Sequence, residues 1–272
     1  MGTLIATPGR PRGLALPRVI PTLLLDRDGR LVKTVRFKKR TYIGDPINAV
    51  RIFNTKEVDE LVLLDIDATA DGRDPHYGRI EEIAGEAFMP LAYGGGVRSV
   101  DQIERLYEVG VEKVILSSVI ESGLSVIRAA AQRWGTQAVT ACLPVARGWR
   151  GGLQVRLRNG RARVRSSLPT LIRELADAGA GEIIVYSIHR DGTWAGYDTE
   201  ALTAASQVTN LPVVACGGAG SSADFNLATR EGGAAAVAAG SMFVYQAKGR
   251  GVLISYPSPA DLLGIFSQQP PT

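Results

Sequence analysis

The 272-residue chain has only two cysteines, Cys142 and Cys216, and two histidines, His76 and His189. Neither cysteine belongs to a CxxC pair or a Cys/His cluster, so the ligand set of a structural zinc is missing and no metal or cofactor is expected. Each cysteine falls inside an apolar run, where a free thiol acts as a small core residue. No apolar run approaches the roughly 20 residues that a membrane helix requires. Residues 1–17 carry Pro8, Pro11, Pro17, Arg10 and Arg12 but lack the apolar stretch and small-residue cleavage site of a signal peptide. They read as a flexible leader on a cytoplasmic protein. Aromatic residues make up 6% of the chain and seldom interleave with the basic ones, and no nucleic-acid-binding motif is present. The net charge of +4 is concentrated in Arg27–Arg40 and Arg147–Arg165. Basic loops facing an anionic, phosphorylated small molecule account for that distribution better than nucleic acid does.

What is present is a chain 45% hydrophobic, enough to bury a full core. Its organising stretch is Glu182 to Asp198: a short apolar run through Ser187, then a loop rich in Gly, hydroxyl and charge, then Asp198 as a cap for a helix near Thr199. Ligands of α/β proteins bind at such carboxyl ends of strands. The pattern recurs along the chain. Strands are expected at Arg18–Leu25, Glu60–Ile66, Met89–Tyr93, Lys113–Leu116, Ala138–Leu143, Ile183–Ser187, Pro212–Ala215 and Ala235–Ala238. A helix opened by Asp45-Pro46 follows the first strand, and others are expected near Ile80–Ala87, Val100–Glu108, Leu124–Arg133, Pro169–Ala178, Thr199–Gln207, Ser222–Arg230 and Pro259–Phe266. Eight strands alternating with eight helices predict an α/β fold, a (β/α)8 TIM barrel over residues 18–268 with a tail at 269–272. Asp26 to Gly44 reads as one long loop. Alternating Leu153–Leu157 and Ala162–Arg165, punctuated by glycines, predict a β-hairpin inserted after strand 5.

A weak internal repeat divides the barrel. Gly94-Gly95 and Gly217-Gly218 lie 123 residues apart, as do Ser118 and Ser241. Each half thus places a Gly-Gly loop after one strand and a small or hydroxyl residue after the next. Glycines let backbone N–H groups approach phosphate oxygens, and a following helix N-terminus adds a favourable dipole. Two phosphate sites are therefore expected, one at Gly95, Gly96, Ser117 and Ser118, the other at Gly217, Gly218, Gly220, Gly240 and Ser241.

Asp65-Ile66, Gly94-Gly95-Gly96, Gly179-Ala180-Gly181-Glu182-Ile183, Ser187-Ile188-His189-Arg190-Asp191-Gly192-Thr193, Gly196-Tyr197-Asp198 and Gly217-Gly218-Ala219-Gly220 together resemble the cyclase subunit of imidazole glycerol phosphate synthase. The likeness runs from about Arg18 to Phe266. It implies a barrel that binds a two-phosphate ribulosyl substrate on its upper face and takes ammonia from a glutaminase subunit on its lower face. Thr41–Val50, Val58–Leu61, Phe88–Leu91, Ala238–Val244 and Val252–Pro257 are similar to a divergent branch of cyclase-like proteins that accompany N-acetyl sugar amidotransferases. That branch implies amidation of a sugar, forming acetamidino groups in surface-polysaccharide (lipopolysaccharide) biosynthesis.

The resemblance also marks departures. The family's general acid and base are carboxylates ending the first and fifth strands. Here the first position reads Leu24-Leu25, with Asp26 one residue late, and the fifth reads Cys142-Leu143-Pro144. Asp26, Asp65 and Asp191 are the remaining candidates for acid/base duty, and cyclase activity is expected to be weak or lost. Conversely, the four charged positions of the family's ammonia gate are filled by Arg18, Glu60, Lys113 and Glu182, each opening a different strand with alternating sign. Lys33 stands at the family's substrate-loop lysine, and Asp191, Gly192 and Thr193 are expected ligand contacts. His76 and His189 are expected to be structural or superficial. Three functions stay open: an ammonia-passing cyclase-like barrel, an authentic histidine-pathway cyclase, and a phosphate-binding scaffold that activates a partner.

Overall fold

A computed structural model describes residues 16–149 and 151–267. The leader expected at 1–17, except its last two residues, and the tail expected at 269–272 lie outside the described residues. Eight parallel strands form the barrel: β1 (Arg18–Leu25), β2 (Leu61–Asp65), β3 (Leu91–Gly94), β4 (Lys113–Leu116), β5 (Val139–Arg147), β6 (Glu182–Ser187), β7 (Val213–Cys216) and β8 (Ala236–Ala239). Each pairs with the next, and β1 pairs with β8, Arg18 opposite Ala236 and Pro21 opposite Ala239. The sheet is closed, so the barrel strands leave no free edge.

Side chains alternate across each strand. One set points to the barrel axis and packs as an inner core: Ile20, Val62, Ala92, Ile115, Cys142, Ile184, Tyr186, Val214, Cys216, Ala236 and Ala238. The other set meets the helices in the larger outer core, where Leu23, Leu61, Leu63 and Tyr93 are fully buried. Both cysteines lie in the inner core and are reduced; burial pushes the Cys142 thiol up to about 12.

Between the strands run helices such as Pro46–Thr55, opened by Asp45 accepting from the Ile47 N–H, and Val100–Glu108, opened by a Ser99/Gln102 capping box. The segment expected to be helical over Ser222–Arg230 is helical throughout, but α-helical only to Asn226. A π-helical turn, Leu227–Glu231, follows, in which the Gly232 N–H bonds to the Leu227 carbonyl and the wider turn leads into β8.

The expectation of a long loop over Asp26 to Gly44 is corrected. Leu31–Val35 and Lys39–Gly44 form an antiparallel hairpin, which joins the barrel sheet through β1, Leu24 opposite Val32. No alternation marks it in the sequence: Leu31, Val32, Lys33 and Thr34 are all buried, while Arg40 and Tyr42 are exposed. After β5, which runs to Arg147 instead of ending at Leu143, Leu153–Arg156 pairs antiparallel with β5, and Ala162–Arg163 pairs with Leu153–Arg156.

Candidate functional site

Strand parity carries Arg18, Glu60, Lys113 and Glu182 toward the axis at the lower end of the barrel, where β1, β2, β4 and β6 begin. They form a closed ring. The Arg18 guanidinium bonds Glu60 through one nitrogen and Glu182 through another. Across the ring, Lys113 Nζ lies 2.9 Å from Glu60 Oε1 and 3.2 Å from Glu182 Oε2. Each carboxylate therefore holds two cations and each cation two carboxylates, the arrangement that lets charges remain where both acids are more than nine-tenths buried. Burial alone lowers the Arg18 pKa, but the two carboxylates outweigh it and raise it. Thr140, the inward residue of β5, reaches Glu182 at 3.4 Å.

The same parity at the upper end aims Leu24 of β1 and Pro144 of β5 inward. Both line the cavity over the barrel axis, called the main cavity for its place above the inner core, together with the inner-core residues Ile115, Cys142 and Tyr186. The two positions that the resemblance assigns to a proton-transferring pair thus face the cavity with side chains that carry no proton. Asp26 does not replace them. It lines none of the cavities around the site, and its carboxylate closes a tight turn, accepting from the Asp28 and Arg30 N–H groups and from Arg30 Nε, each at 3.0 Å. The candidacy of Asp26 fails because one added residue carries it past the end of the strand and into this turn.

Asp65 borders the cavity but is bound on all sides. Arg73 Nη2 donates to both its oxygens at 2.8 and 2.7 Å, and the Asp67 and Ala68 N–H groups donate to Oδ1. Burial pushes its pKa up, and Arg73 resists that rise. Its visible work is to organise the loop after β2. Asp191 is similarly enclosed: it accepts from Thr34 Oγ1 at 2.7 Å, Tyr186 OH at 3.0 Å and the Phe37 N–H at 3.3 Å. Burial raises its pKa against those bonds and against nearby Lys33. The Arg36 N–H bonds its carbonyl, so Asp191 pins the tip of the Leu31–Gly44 hairpin.

Two glycine cradles flank the Leu24 and Tyr186 side chains. Gly95, Gly96, Ser117 and Ser118 line the main cavity. Gly217, Gly218, Gly240, Ser241, Gly192, Asp191 and Lys33 line the second. Gly218 has φ +114°, and a Cβ there would sit 2.2 Å from the Gly196 carbonyl oxygen, so only glycine fits. A Cβ on Gly240 would meet Lys33 Nζ at 2.3 Å. Lys33 is buried in this second cradle, donating to the Thr22 carbonyl at 2.6 Å. Burial lowers its pKa to about 8, with Asp191 opposing the fall.

Two expected contacts are placed differently. The Gly220 N–H is taken by Asp224 Oδ2 at 2.8 Å, and Gly220 lines neither cradle. Thr193 donates its hydroxyl to the Arg190 carbonyl and borders an outer groove. His76 accepts from the Arg79 N–H as a helix cap, and His189 is exposed.

Several site residues escaped the sequence reading. Phe37, at the hairpin tip, meets the Tyr186 ring edge-on with centroids 4.8 Å apart, over the inner core. Arg40 grips Asp67 with a two-point fork, at 2.7 and 2.6 Å, while the Arg27 N–H donates to the same carboxylate. Asn159, from the inserted hairpin, borders the main cavity and donates to the Ile66 carbonyl at 2.6 Å. An isolated aromatic within a basic run was the one available signal, for Phe37.

The fork makes the hairpin a latched roof. Burial raises the Asp67 pKa, yet the Arg40 and Arg27 contacts outweigh it and hold the group below its ordinary value. The stability from this contact is therefore present above about pH 4 and is lost as pH falls through the depressed folded value. Arg40→Ala is expected to cost only about 1 kcal/mol, because Arg40 is partly exposed. Amide exchange across Leu31–Gly44 should quicken roughly fivefold, as that energy implies if opening of the hairpin limits exchange. Unchanged exchange, read by mass spectrometry, would mean that the pairing with β1 and the Asp191 contacts suffice to hold the hairpin.

Comparison with known proteins agrees with this geometry. Residues 18–249 match the family described as "Histidine biosynthesis protein". A Pseudomonas aeruginosa protein named "Putative imidazole glycerol phosphate synthase subunit hisF2" is 47% identical over 240 residues, covering 88% of this chain and 95% of that protein. A Vibrio vulnificus protein named "Putative imidazole glycerol phosphate synthase subunit hisF3" is 42% identical, covering 90% of this chain and 94% of its own length. The imidazole glycerol phosphate synthase subunit HisF of Alkaliphilus metalliredigens is 40% identical over 228 residues, 84% of this chain and 90% of its own. By sequence and by its closed eight-stranded barrel, the chain belongs to the histidine biosynthesis protein family, among the cyclases of the HisF type.

Proposed function

We propose that this barrel accepts ammonia from a glutaminase subunit docked on its lower face and passes it along the axis for amidation of a sugar, with an N-acetyl sugar amidotransferase as a further partner. The product would be an acetamidino group of a surface polysaccharide, made in the cytoplasm. One observation carries the reading: the charged ring at the bottom is complete, while both inward carboxylate positions at the top hold Leu24 and Pro144.

The geometry suits neutral ammonia. Above the ring lies an apolar inner core, where an ammonium ion would lose its hydration without a counter-ion and a neutral molecule would lose little. Lys113 is the member with the simplest opening motion, since its unbranched chain can swing aside while Arg18 continues to hold both acids. Higher up, the Thr22 hydroxyl is buried beside the second cradle with no hydrogen-bond partner among the described residues, a polar stop for a small polar guest. The two cradles supply phosphate contacts for whatever ligand the upper face holds.

The test combines glutamine, glutaminase, this chain and the sugar amidotransferase. Acetamidino product should require this chain when glutamine is the nitrogen source and should not require it when ammonium salt is supplied. In parallel, the chain should fail to rescue a histidine auxotroph lacking its cyclase. Rescue of growth, with no contribution to sugar amidation, would overturn the proposal in favour of an authentic cyclase.

A further inference from the structure

A third concavity adjoins the second cradle and has no role in the proposal above. It shares Lys33, Gly192 and Ser241 with that cradle, so the two spaces are neighbours across those residues. Its remaining charged lining is entirely cationic: Arg36 from the hairpin tip, and Lys248 and Arg250 from the segment after β8. Among the described residues, no carboxylate forms an ion pair with any of these three. Trp194 and Tyr245 line the same groove.

The groove is built rather than incidental. Tyr245 and Val252 form an antiparallel bridge, the Gln246 N–H bonds the Gly251 carbonyl, and the Arg250 N–H bonds the Ala247 carbonyl. These contacts fold residues 245–252 into a tight turn with its basic residues at the tip. Thr41, from the hairpin that carries Arg36, lines the same groove as Tyr245 of this turn. Two separate segments thus bring three unneutralised cations to one space beside the second cradle. Like charges gathered without counter-charges repel one another, and an anion placed among them relieves that repulsion.

We infer that this groove is a further anion subsite, which takes the distal phosphate of a ligand whose proximal phosphate rests in the Gly217, Gly218 and Ser241 cradle. The upper face would then accept a pyrophosphate-bearing molecule of the nucleoside diphosphate class, with Trp194 or Tyr245 beside its planar group. The inference rests on the upper face being the ligand face, as proposed above. Its test needs no partner and no turnover, so failure here leaves ammonia delivery untouched.

The test compares inorganic phosphate with inorganic pyrophosphate by calorimetry on the full chain at fixed ionic strength. The wild type should bind pyrophosphate at least about tenfold more tightly, a difference of about 1.4 kcal/mol. Lys248→Gln with Arg250→Gln, at two exposed positions, should abolish most of that preference and leave phosphate affinity within about twofold. A control, Arg128→Gln with Arg173→Gln on outer helices, removes the same charge elsewhere and should keep the preference. Equal affinities in the wild type, a preference that survives the groove variant, or one lost equally in the control would overturn the subsite.

Discussion

Supplied with ammonium salt and the two-phosphate ribulosyl substrate, this chain is expected to turn over at least about 10²–10⁴-fold more slowly than a cyclase bearing both carboxylates. That is the usual weight of one general acid or base, about 3–5 kcal/mol of barrier. Two positions are affected, yet residues that act together are not additive, so the figure is a floor and not a product. Asp26→Asn should leave whatever rate remains unchanged, because Asp26 is spent on the Asp28 and Arg30 turn. Leu24→Asp with Pro144→Asp should raise the rate at least about tenfold if the inward positions are what is lacking. The paired variants are compared in single-turnover assays. Ordinary cyclase rates in the wild type, or a collapse on Asp26→Asn, would return the upper face to cyclisation.

Lys113→Ala should produce two separable losses. Breaking a buried ion pair by removing one partner costs about 3–5 kcal/mol when a charge is left alone. Here Glu60 and Glu182 each keep Arg18, and Lys113 is itself about one-fifth exposed, so the expected loss is smaller, about 2–3 kcal/mol by urea unfolding. The second loss is of coupling. With the glutaminase bound, glutamate released per ammonia incorporated should rise well above the wild-type ratio, because the passage stands open to solvent. A stability loss with an unchanged ratio would make the ring a structural fastening only, and the barrel a phosphate-binding scaffold for its partner.

The barrel was legible because each inner strand is a short apolar run closed by glycine or a polar turn, and that signal is local. The ring was legible through the family resemblance, which singles out these four positions; the alternating signs of charges opening buried strands then favoured pairing among them. The hairpin over Leu31–Gly44 was not legible. Its strand character comes from pairing with β1, and no period of two announces it, since residues 31–34 are all buried and residues 39–42 all exposed. Asp26 misled because its distance past the strand, not its chemistry, decides whether it reaches the cavity. Gly220 looked like a cradle member by motif, yet Asp224 four residues on had already taken its N–H. Asn159 reaches the cavity with φ +55°, a left-handed backbone that no spacing rule announces.

Closure of the barrel also sets an order of events during synthesis. The first strand finds one of its two neighbours only when β8 exists, since Arg18 pairs with Ala236, and Tyr256 later bonds the Val19 carbonyl at 2.8 Å. At ribosomal rates of about 5–20 residues per second, roughly 10–40 s separate the making of those strands. For that interval the edge of β1 that will face β8 carries unpaired backbone groups beside apolar Val19, Ile20 and Leu23. An open edge of that kind invites pairing with another chain. The nascent barrel is thus most exposed to aggregation just before its last strand emerges.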